Sequence, residues 1–157
     1  MATEIERKFL VTNDGWRTAE PRPLRQGYLS RQKDCSVRVR IDGEIAFLTV
    51  KGLTVGAARR EYEYQIDRLD AEEMLTDLCQ PPVIHKHRHT VWHAGNCWEI
   101  DEFFGENAGL VVAEIELQSE TQSFEHPAWL GAEVTSDPRY FNANLALHPF
   151  AKWSTDA

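Results

Sequence analysis

Three charged residues near the start of the chain are spaced so that they could act together. In the stretch EIERKFLV, Glu4, Glu6 and Lys8 occupy every second position. Side chains two residues apart lie on the same face of a β-strand, so a strand here would align two carboxylates with an ammonium group. Neighbouring like charges destabilise a strand. A ligand or metal ion that neutralises them would explain why the chain carries this pattern.

The same spacing of like charges recurs in later segments of the chain. In nearly every pair the intervening residue is apolar or aromatic, which indicates strands with one charged face. The acidic pairs are Glu61 and Glu63, Glu99 and Asp101, and Glu114 and Glu116. The basic pairs are Arg38 and Arg40, and Lys86 and Arg88, and Lys51 shares a strand face with Thr49.

Two interpretations of this alternation are open. An antiparallel sheet with one solvated face produces polar and apolar alternation without any ligand, and it would account for any single pair. The complete set favours a binding site, because like charges would stand about 6.7 Å apart on each strand, twice the rise per residue. Clustered carboxylates are typical of divalent cation sites, and arginine forks suit phosphate oxygens. The pattern therefore predicts a ligand made of a metal-bound phosphate chain.

Short segments of alternating polarity dominate the chain and predict about eight strands. They follow one another in hairpin order, with tight turns at Asp42-Gly43 and at the segment AGN (94–96), so the sheet should be largely antiparallel. A sheet of this size can close into a barrel. An interior lined with charge cannot be a dry core, so the predicted barrel surrounds a wet tunnel that holds a ligand.

Few helices are predicted beside the strands. The segment DAEEMLTDLC is typical of a helix with Asp70 as its N-cap and Glu73 three residues later, as in a capping box. The segment DPRYFNANLAL predicts a second helix, with Asp137 as its N-cap and Pro138 in the first helical position. A shorter helix is expected near Ser119. The predicted fold class is therefore mainly β, within the α+β class.

The composition limits the class of protein and its surroundings. The 157 residues contain no visible linker or repeat, so a single domain is expected over residues 1–157. A formal net charge of −8 argues against nucleic acid as a partner, because phosphate would be repelled overall. We see no signal peptide and no apolar run of membrane-spanning length, so no membrane partner is expected. The three cysteines are widely spaced, which favours the reducing cytoplasm.

Three histidines alternate with the basic pair of one predicted strand. His85, His87 and His89 could bind zinc as an HxHxH motif if they faced the tunnel. In that case Lys86 and Arg88 would face outward, because alternate side chains lie on opposite faces. We expect the basic pair inside and the histidines outside, where they could lie in a homodimer interface.

The ordered charge pairs resemble those of a known family. The motif Glu4-x-Glu6-x-Lys8 is similar to the hallmark of the CYTH superfamily, the triphosphate tunnel metalloenzymes. The resemblance continues in order through the pairs given above as far as Glu116, and RYFNANLAL resembles the closing helix of the family. It implies an eight-stranded antiparallel β-barrel that forms a charged tunnel, with a few flanking helices. In that tunnel, family members bind triphosphates with Mg²⁺ or Mn²⁺ and mostly hydrolyse the terminal phosphoanhydride.

The resemblance also implies roles for the charged residues. The chain is similar in length to small bacterial inorganic triphosphatases, which implies tripolyphosphate as the substrate, two metal ions per site and in-line attack by water. The residues implied to bind the triphosphate are Lys8, Arg38, Arg40, Lys51, Lys86 and Arg88. Those implied to bind metal or position water are Glu4, Glu6, Glu61, Glu63, Asp101, Glu114 and Glu116. Those implied in catalysis are Glu4, Glu6, Lys8, Arg40 and Lys51.

Other functions stay open at this point. The superfamily includes class IV adenylate cyclases and thiamine triphosphatases, and the latter grip their substrate with an aromatic residue. The tryptophans that could do so are Trp16, Trp92, Trp98, Trp129 and Trp153. In the second predicted strand, Gln26 and Tyr28 could point inward. A non-catalytic module that binds polyphosphate or nucleotides would need the basic residues but not the carboxylates, so the acidic pairs favour an enzyme.

Overall fold

Because polar and apolar residues alternate along many short segments, the protein is built mainly of β-strands. The computed structural model describes residues 3–155, and every strand pairing within them is antiparallel. The nine strands of this part of the chain are β1 (Thr3–Val11), β2 (Arg22–Gln32), β3 (Cys35–Asp42), β4 (Ile45–Gly52), β5 (Ala58–Ile66), β6 (Gln80–His93), β7 (Asn96–Phe103), β8 (Val111–Glu116) and β9 (Leu130–Glu133). Its helical segments are α1 (Arg68–Glu73), a π-helical turn (Met74–Leu78), 3₁₀ turns (Gly105–Asn107, Pro138–Tyr140 and Phe150–Thr155) and α2 (Asn142–Leu147).

Eight of the strands close into a barrel. Their order is β5-β4-β3-β2-β6-β7-β8-β1, and β1 also pairs with β5, which joins the two edges of the sheet. Strand β1 can do this because Thr3–Ile5 pair with β5, whereas Glu6–Phe9 pair with β8. The ninth strand, β9, pairs with the end of β1. The predicted eight-stranded antiparallel barrel is confirmed.

Two short hairpins fix the register of the barrel wall. Strands β3 and β4 are joined at Gly43, whose φ of 60° is a left-handed conformation that glycine adopts without steric cost. Strands β6 and β7 are joined at Ala94 and Gly95, which both have positive φ. Both predicted turns are confirmed, and the register that they set determines which side chains face the interior.

The barrel carries its charges inside and much of its apolar surface outside. On β1, Lys8 bonds to carboxylates within the tunnel, whereas Phe9 packs in an apolar cluster against the outer wall. That outer cluster contains Phe9, Trp16, Trp98, Ile100, Ala113, Ile115, Leu117 and Trp129. A second cluster, beneath α1, contains Val39, Ile41, Ala46, Ala71, Leu75 and Cys79. Because burying a large apolar side chain contributes roughly 1.5–3 kcal/mol, these two clusters stabilise the barrel from its outer face.

Helix α2 closes one end of the barrel interior. Leu145 of this helix is fully buried and packs with Ile84 and Phe103, which lie on the inner faces of β6 and β7. Each of those residues is two positions from a charged inner residue, Lys86 or Asp101. The interior is therefore apolar at this end and charged along the rest of its length, and α2 docks where apolar side chains match it.

The capping of α1 differs from the prediction. The carboxylate of Asp67 accepts a hydrogen bond from the backbone N–H of Asp70, so Asp67 is the N-cap and Asp70 lies in the first turn. The α-helix ends at Glu73 and continues as a π-helical turn, in which the N–H of Cys79 donates to the carbonyl of Met74. The prediction placed the cap three residues late because both aspartates suit that position.

The second predicted helix is divided in two. Asp137 is an N-cap, as predicted, but it caps the 3₁₀ turn at Pro138–Tyr140 by accepting from the N–H of Arg139. Helix α2 then begins separately at Asn142, after the extended residue Phe141. This break turns the start of α2 toward the tunnel.

The short helix expected near Ser119 is wrong, because residues 118–121 form a bend and a turn instead. Across residues 3–155, no helix is both long enough and apolar enough to cross a membrane.

Candidate active site

A cavity of about 460 Å³ opens from the tunnel beside α2. This volume lies within the usual range for small-molecule sites. The predicted site residues that line it are Glu4, Glu6, Lys8, Arg38 and Lys51. The other predicted residues lie on the same inner faces of the strands, where most of them contact one another.

Lys8 lies between two carboxylates. Its Nζ atom is 2.7 Å from Glu6 Oε1 and 2.8 Å from Glu114 Oε1. Burial disfavours the charged ammonium group, but the charges of Glu114 and Glu6 outweigh it and raise the pKa of Lys8. The lysine therefore stays charged and holds strands β1 and β8 together from within the tunnel.

Lys51 is held in the same manner by another pair of carboxylates. Its Nζ atom is 3.0 Å from Glu4 Oε1 and 3.3 Å from Glu61 Oε2. Burial and a hydrogen bond with Glu61 raise the pKa of Glu4. For Glu61, burial is outweighed by the hydrogen bond with Glu4 and by the charge of Lys51, which lower the pKa. One ammonium group thus lies between two carboxyl groups.

Glu116 has no hydrogen bond or ion pair with any of the residues 3–155. It lies opposite Glu6 in the pairing of β1 with β8. Loss of hydration, followed by the charges of Glu4 and Glu6, raises the pKa of Glu116. Lys8 offsets this repulsion for Glu6, whose pKa is lowered despite its burial, but Glu116 has no such cation beside it.

This excess of carboxylates fits a hard divalent cation. Mg²⁺ and Mn²⁺ prefer oxygen ligands, and mutual repulsion between carboxylates is relieved when such an ion binds. Among residues 3–155, no three acidic, histidine or cysteine side chains already converge on one point as a preformed metal site. Lys8 and Lys51 explain this, because each ammonium group occupies the space between two carboxylates.

Asp101 joins the two basic residues of β6. Its Oδ2 atom is 2.8 Å from Lys86 Nζ, and its Oδ1 atom is 2.8 Å from Arg88 Nε. All three residues are buried. Burial disfavours the ionised carboxylate of Asp101, but the charges of Arg88 and Lys86 lower its pKa. The structure thus places Asp101 between two cations, and Arg88 also contacts Glu99 at 3.2 Å.

Arg38 is buried and incompletely paired. Its Nη2 atom donates to Thr49 Oγ1 at 3.3 Å and lies 3.8 Å from Glu63 Oε2. Its Nε atom is buried and has no hydrogen-bond partner within residues 3–155. A buried donor without a partner is costly, so a ligand with acceptor oxygens would stabilise this position.

Arg40 forms no ion pair with any residue of the described chain, 3–155. Its Nε atom donates to the amide oxygen of Gln26 at 2.9 Å, and Gln26 therefore points inward as expected. Desolvation and the charges of Arg38 and Arg88 lower the pKa of Arg40 to about 9, which still leaves it charged at neutral pH. Together these guanidinium groups create a positive region suited to a polyanion.

Arg88 also borders a second cavity at the other end of β6. That cavity is lined by Thr18, Ala19, Glu20, Arg22, Arg88 and Thr90. The basic wall, formed by Arg38, Arg40, Lys86 and Arg88, therefore borders a cavity at each end of the tunnel.

His85, His87 and His89 of β6 face outward, as predicted. His89 Nδ1 accepts from the backbone N–H of Thr18 at 3.0 Å, and its ring packs against Trp16. The ring of His87 packs against Phe104 with centroids 4.6 Å apart. Because the described histidines contact outer loops and do not converge, the alternative HxHxH zinc site is wrong.

The tryptophans lie outside the tunnel cavity. Three of them belong to the outer cluster defined above. Trp153 packs edge-on against Tyr140, and Trp92 is 71% exposed. The aromatic rings that line the cavity are those of Tyr28, which points inward as expected, and Phe141. Within residues 3–155, no tryptophan is therefore placed to contact a substrate in the tunnel cavity.

Several residues of the cavity were not among the predicted site residues. Arg31 and Lys33 lie at its mouth, and Arg59 lines its wall, donating to Ser36 Oγ at 3.3 Å. The alternation of charges could have identified Arg59, which precedes Glu61 by two positions. Asn142 of α2 lines the cavity as well, but no periodic pattern marks it.

Comparison with known proteins relates nearly the whole chain to one family. The CYTH domain family matches residues 2–148. An inorganic triphosphatase of Acetivibrio thermocellus is 50% identical over 151 residues, which cover 96% of this chain and 97% of the relative. An inorganic triphosphatase of Nitrosomonas europaea is 41% identical over 149 residues, covering 92% of this chain and 97% of the relative.

Solved structures share the barrel. The crystal structure of an inorganic triphosphatase superposes with a TM-score of 0.66 at 39% identity, covering 94% of this chain and 96% of that one. A conserved hypothetical protein from Pyrococcus furiosus superposes with a TM-score of 0.57, covering 75% of this chain and 80% of that one. At 20% identity, the latter likeness concerns the fold alone.

Proposed function

Because the chain belongs to the CYTH domain family, we propose that it is an inorganic triphosphatase, which hydrolyses the terminal phosphoanhydride of tripolyphosphate inside the barrel. One observation carries this proposal: the same tunnel holds incompletely paired basic groups and closely spaced carboxylates, with Glu116 opposite Glu6. The 50% identity with a protein named inorganic triphosphatase supports it over nearly the full length of both chains.

The basic residues would bind the triphosphate and stabilise the charge that develops on the leaving diphosphate. Arg38 and Arg40 offer guanidinium donors that no carboxylate fully neutralises. Asp101 would hold the basic pair of β6 in fixed positions toward the phosphate chain. Lys8 and Lys51 would contact the substrate next to the acidic region, because each already lies between carboxylates.

The carboxylates would hold the metal cofactor. Those proposed to bind Mg²⁺ or Mn²⁺, with two ions per site, are Glu4, Glu6, Glu61, Glu63, Glu114 and Glu116. When bound, such ions neutralise phosphate charge and lower the pKa of a water molecule. Asp101 was expected in this set, but two cations already occupy its oxygens. We therefore assign it to positioning Lys86 and Arg88.

Glu116 is suited to hold a metal ion or to position the attacking water, because it lies opposite Glu6 on the inner wall of the barrel. No cation of the described chain, residues 3–155, already pairs with it. Water held there would attack the terminal phosphorus in line, and the diphosphate would leave along the basic wall.

Phosphate release tests the proposal. The substrates would be tripolyphosphate, ATP, thiamine triphosphate and pyrophosphate, each with Mg²⁺, Mn²⁺ or EDTA. We expect rapid release from tripolyphosphate that depends on the metal. Consumption of ATP without phosphate release would instead indicate an adenylate cyclase, and preferred cleavage of thiamine triphosphate a thiamine triphosphatase. If tripolyphosphate binds but is not cleaved with either metal, the protein is a polyphosphate-binding module.

We also propose the compartment and the partners of the enzyme. We place it in the cytoplasm as one domain of residues 1–157, without a nucleic-acid or membrane partner. The free thiols of Cys35, Cys79 and Cys97 suit a reducing compartment. A homodimer through the outward face of β6 is tested by sedimentation of the wild type and of a His85→Glu variant, because His85 is exposed on that face.

A further inference from the structure

A chain of hydrogen bonds links two basic tunnel residues through the first residue of α2. Arg40 Nε donates to Gln26 Oε1 at 2.9 Å, and Gln26 Nε2 donates to Asn142 Oδ1 at 3.1 Å. Lys86 Nζ donates to the same oxygen of Asn142 at 3.0 Å. Gln26 and Lys86 are at most 1% exposed, so solvent has little access to these contacts. Two uncharged amides thus join the barrel wall to the closing helix.

The two ends of this hydrogen-bond chain determine how both amides are turned. Guanidinium and ammonium groups can only donate hydrogen bonds. The atom of Gln26 that faces Arg40 must therefore be its oxygen, which leaves its nitrogen facing Asn142. The atom of Asn142 that faces Lys86 must likewise be its oxygen. Turning either amide over would set buried donors against each other and leave them unpaired, which is costly.

This orientation leaves the nitrogen of Asn142 without a protein partner. Within residues 3–155, Nδ2 of Asn142 makes no hydrogen bond, whereas Oδ1 accepts two. The side chain lines the same cavity as Lys8, Arg38 and Lys51. Because the oxygen is committed to the wall, the two N–H groups are the part of the amide left for a ligand. Asparagine N–H groups are regular donors to phosphate oxygens.

We propose that Asn142 Nδ2 donates a hydrogen bond to a phosphate oxygen of the bound triphosphate, and that Gln26 is the positioning residue that turns this amide toward it. The proposal rests on the function proposed above. It makes α2 a part of the binding site in addition to a closure of the barrel. The oxygen of the Asn142 amide bonds to the barrel wall, and its nitrogen would bond to the substrate. The docking of α2 on the barrel is therefore coupled to substrate binding.

The variant Asn142→Asp tests the contact with little change of shape. It keeps an oxygen for Lys86 and Gln26 but replaces Nδ2 with a second oxygen, which repels phosphate. We expect the dissociation constant for tripolyphosphate, measured by calorimetry in EDTA, to rise about tenfold to a hundredfold. The matched control is Asn13→Asp, which adds the same charge on an exposed loop and keeps the acceptor for the N–H of Gly15. Its dissociation constant should stay within about twofold of the wild-type value.

The variant Gln26→Glu tests the positioning role. It keeps an acceptor for Arg40 but sets an oxygen against Asn142 Oδ1, which Lys86 still holds, so the hydrogen bond from residue 26 is lost and repulsion between the two oxygens should displace the Asn142 amide from its contact with substrate. Binding should weaken about tenfold, and adding Asn142→Ala should then weaken it by less than about threefold more. Asn142→Ala alone should weaken binding about tenfold. Fully additive effects of the two substitutions would overturn the positioning role of Gln26. Thermal melting of each variant checks that it is folded.

The outcomes separate this proposal from the proposed function. Tight binding of tripolyphosphate by the wild type and by Asn142→Asp alike would overturn the Asn142 contact and leave the function standing. Weakened binding in Asn142→Asp, together with a wild type that releases no phosphate, would support the contact and contradict the function. Failure of the wild type to bind tripolyphosphate at all would overturn both.

Discussion

Replacement of Asp101 by asparagine should strongly destabilise the metal-free protein. Asp101 is 1% exposed and accepts hydrogen bonds from Lys86 and from two nitrogens of Arg88. An amide at this position carries no charge, and its nitrogen would face a cation. Removing one partner of a buried ion pair typically costs about 3–5 kcal/mol. Burial lowers the pKa of Lys86 to about 7, so the guanidinium of Arg88 is the charge that stays buried in this variant.

Calorimetric melting in EDTA measures this loss. For a protein of this size, 1 kcal/mol corresponds to roughly 2–4 °C, so the Asp101→Asn variant should melt roughly 6–20 °C below the wild type. Glu102→Gln is the matched control at the next position. Glu102 lies on the outer face and pairs with the largely exposed Arg17, so its replacement should change the melting temperature little.

Tripolyphosphate should restore much of the lost stability. Its oxygens can pair with Lys86 and Arg88, so it should raise the melting temperature of Asp101→Asn by more than that of the wild type. A metal ligand would behave differently, because its removal in EDTA would relieve repulsion between carboxylates. An unchanged melting temperature of Asp101→Asn in EDTA would refute the role assigned to this residue.

Three further substitutions test other parts of the site and its surroundings. Glu116→Gln should abolish metal-dependent phosphate release while raising the melting temperature in EDTA, because one of several mutually repelling carboxylates is removed; retained turnover would contradict this. Arg40→Ala should raise KM for tripolyphosphate about tenfold or more in steady-state kinetics, and an unchanged KM and kcat would remove Arg40 from the site. Burial lowers the pKa of His89 below its unfolded value of about 6.5, so the unfolded chain binds the proton more strongly and the wild type should lose stability as pH falls below that value. The free energy of unfolding, measured with urea at about pH 7.5 and at about pH 5, should fall less between these pH values in His89→Asn than in the wild type. An equal fall in both proteins would exclude His89 as the cause.

The inner wall of the barrel could be predicted from sequence because strand periodicity translates directly into geometry. Glu4, Glu6 and Lys8 alternate with residues of the outer face, and the structure places all three in the tunnel cavity. The same rule oriented the histidines of β6 outward. The number of short strands in hairpin order made a closed barrel feasible, and the resemblance to the CYTH superfamily implied it.

Contacts between distant segments could not be predicted in this way. Asp101 shares its spacing with Glu99, and the sequence does not reveal that Lys86 and Arg88 occupy its oxygens. Asn142 reaches the tunnel because the chain breaks after a 3₁₀ turn and restarts as α2, and no periodicity reports such a break. Helix starts were misplaced where two residues suit the cap equally, as at Asp67.

The division of the tunnel into an acidic metal-binding region and a basic phosphate-binding wall is tested most directly by crystallography. Crystals would be grown with Mn²⁺ and imidotriphosphate, whose P–N–P linkages resist hydrolysis, and manganese would be located by anomalous scattering. We predict manganese beside Glu4, Glu6 and Glu116, and phosphate oxygens against Arg38 and the other guanidinium groups of the wall. Manganese bound at Asp101, or a ligand outside the barrel, would contradict the account.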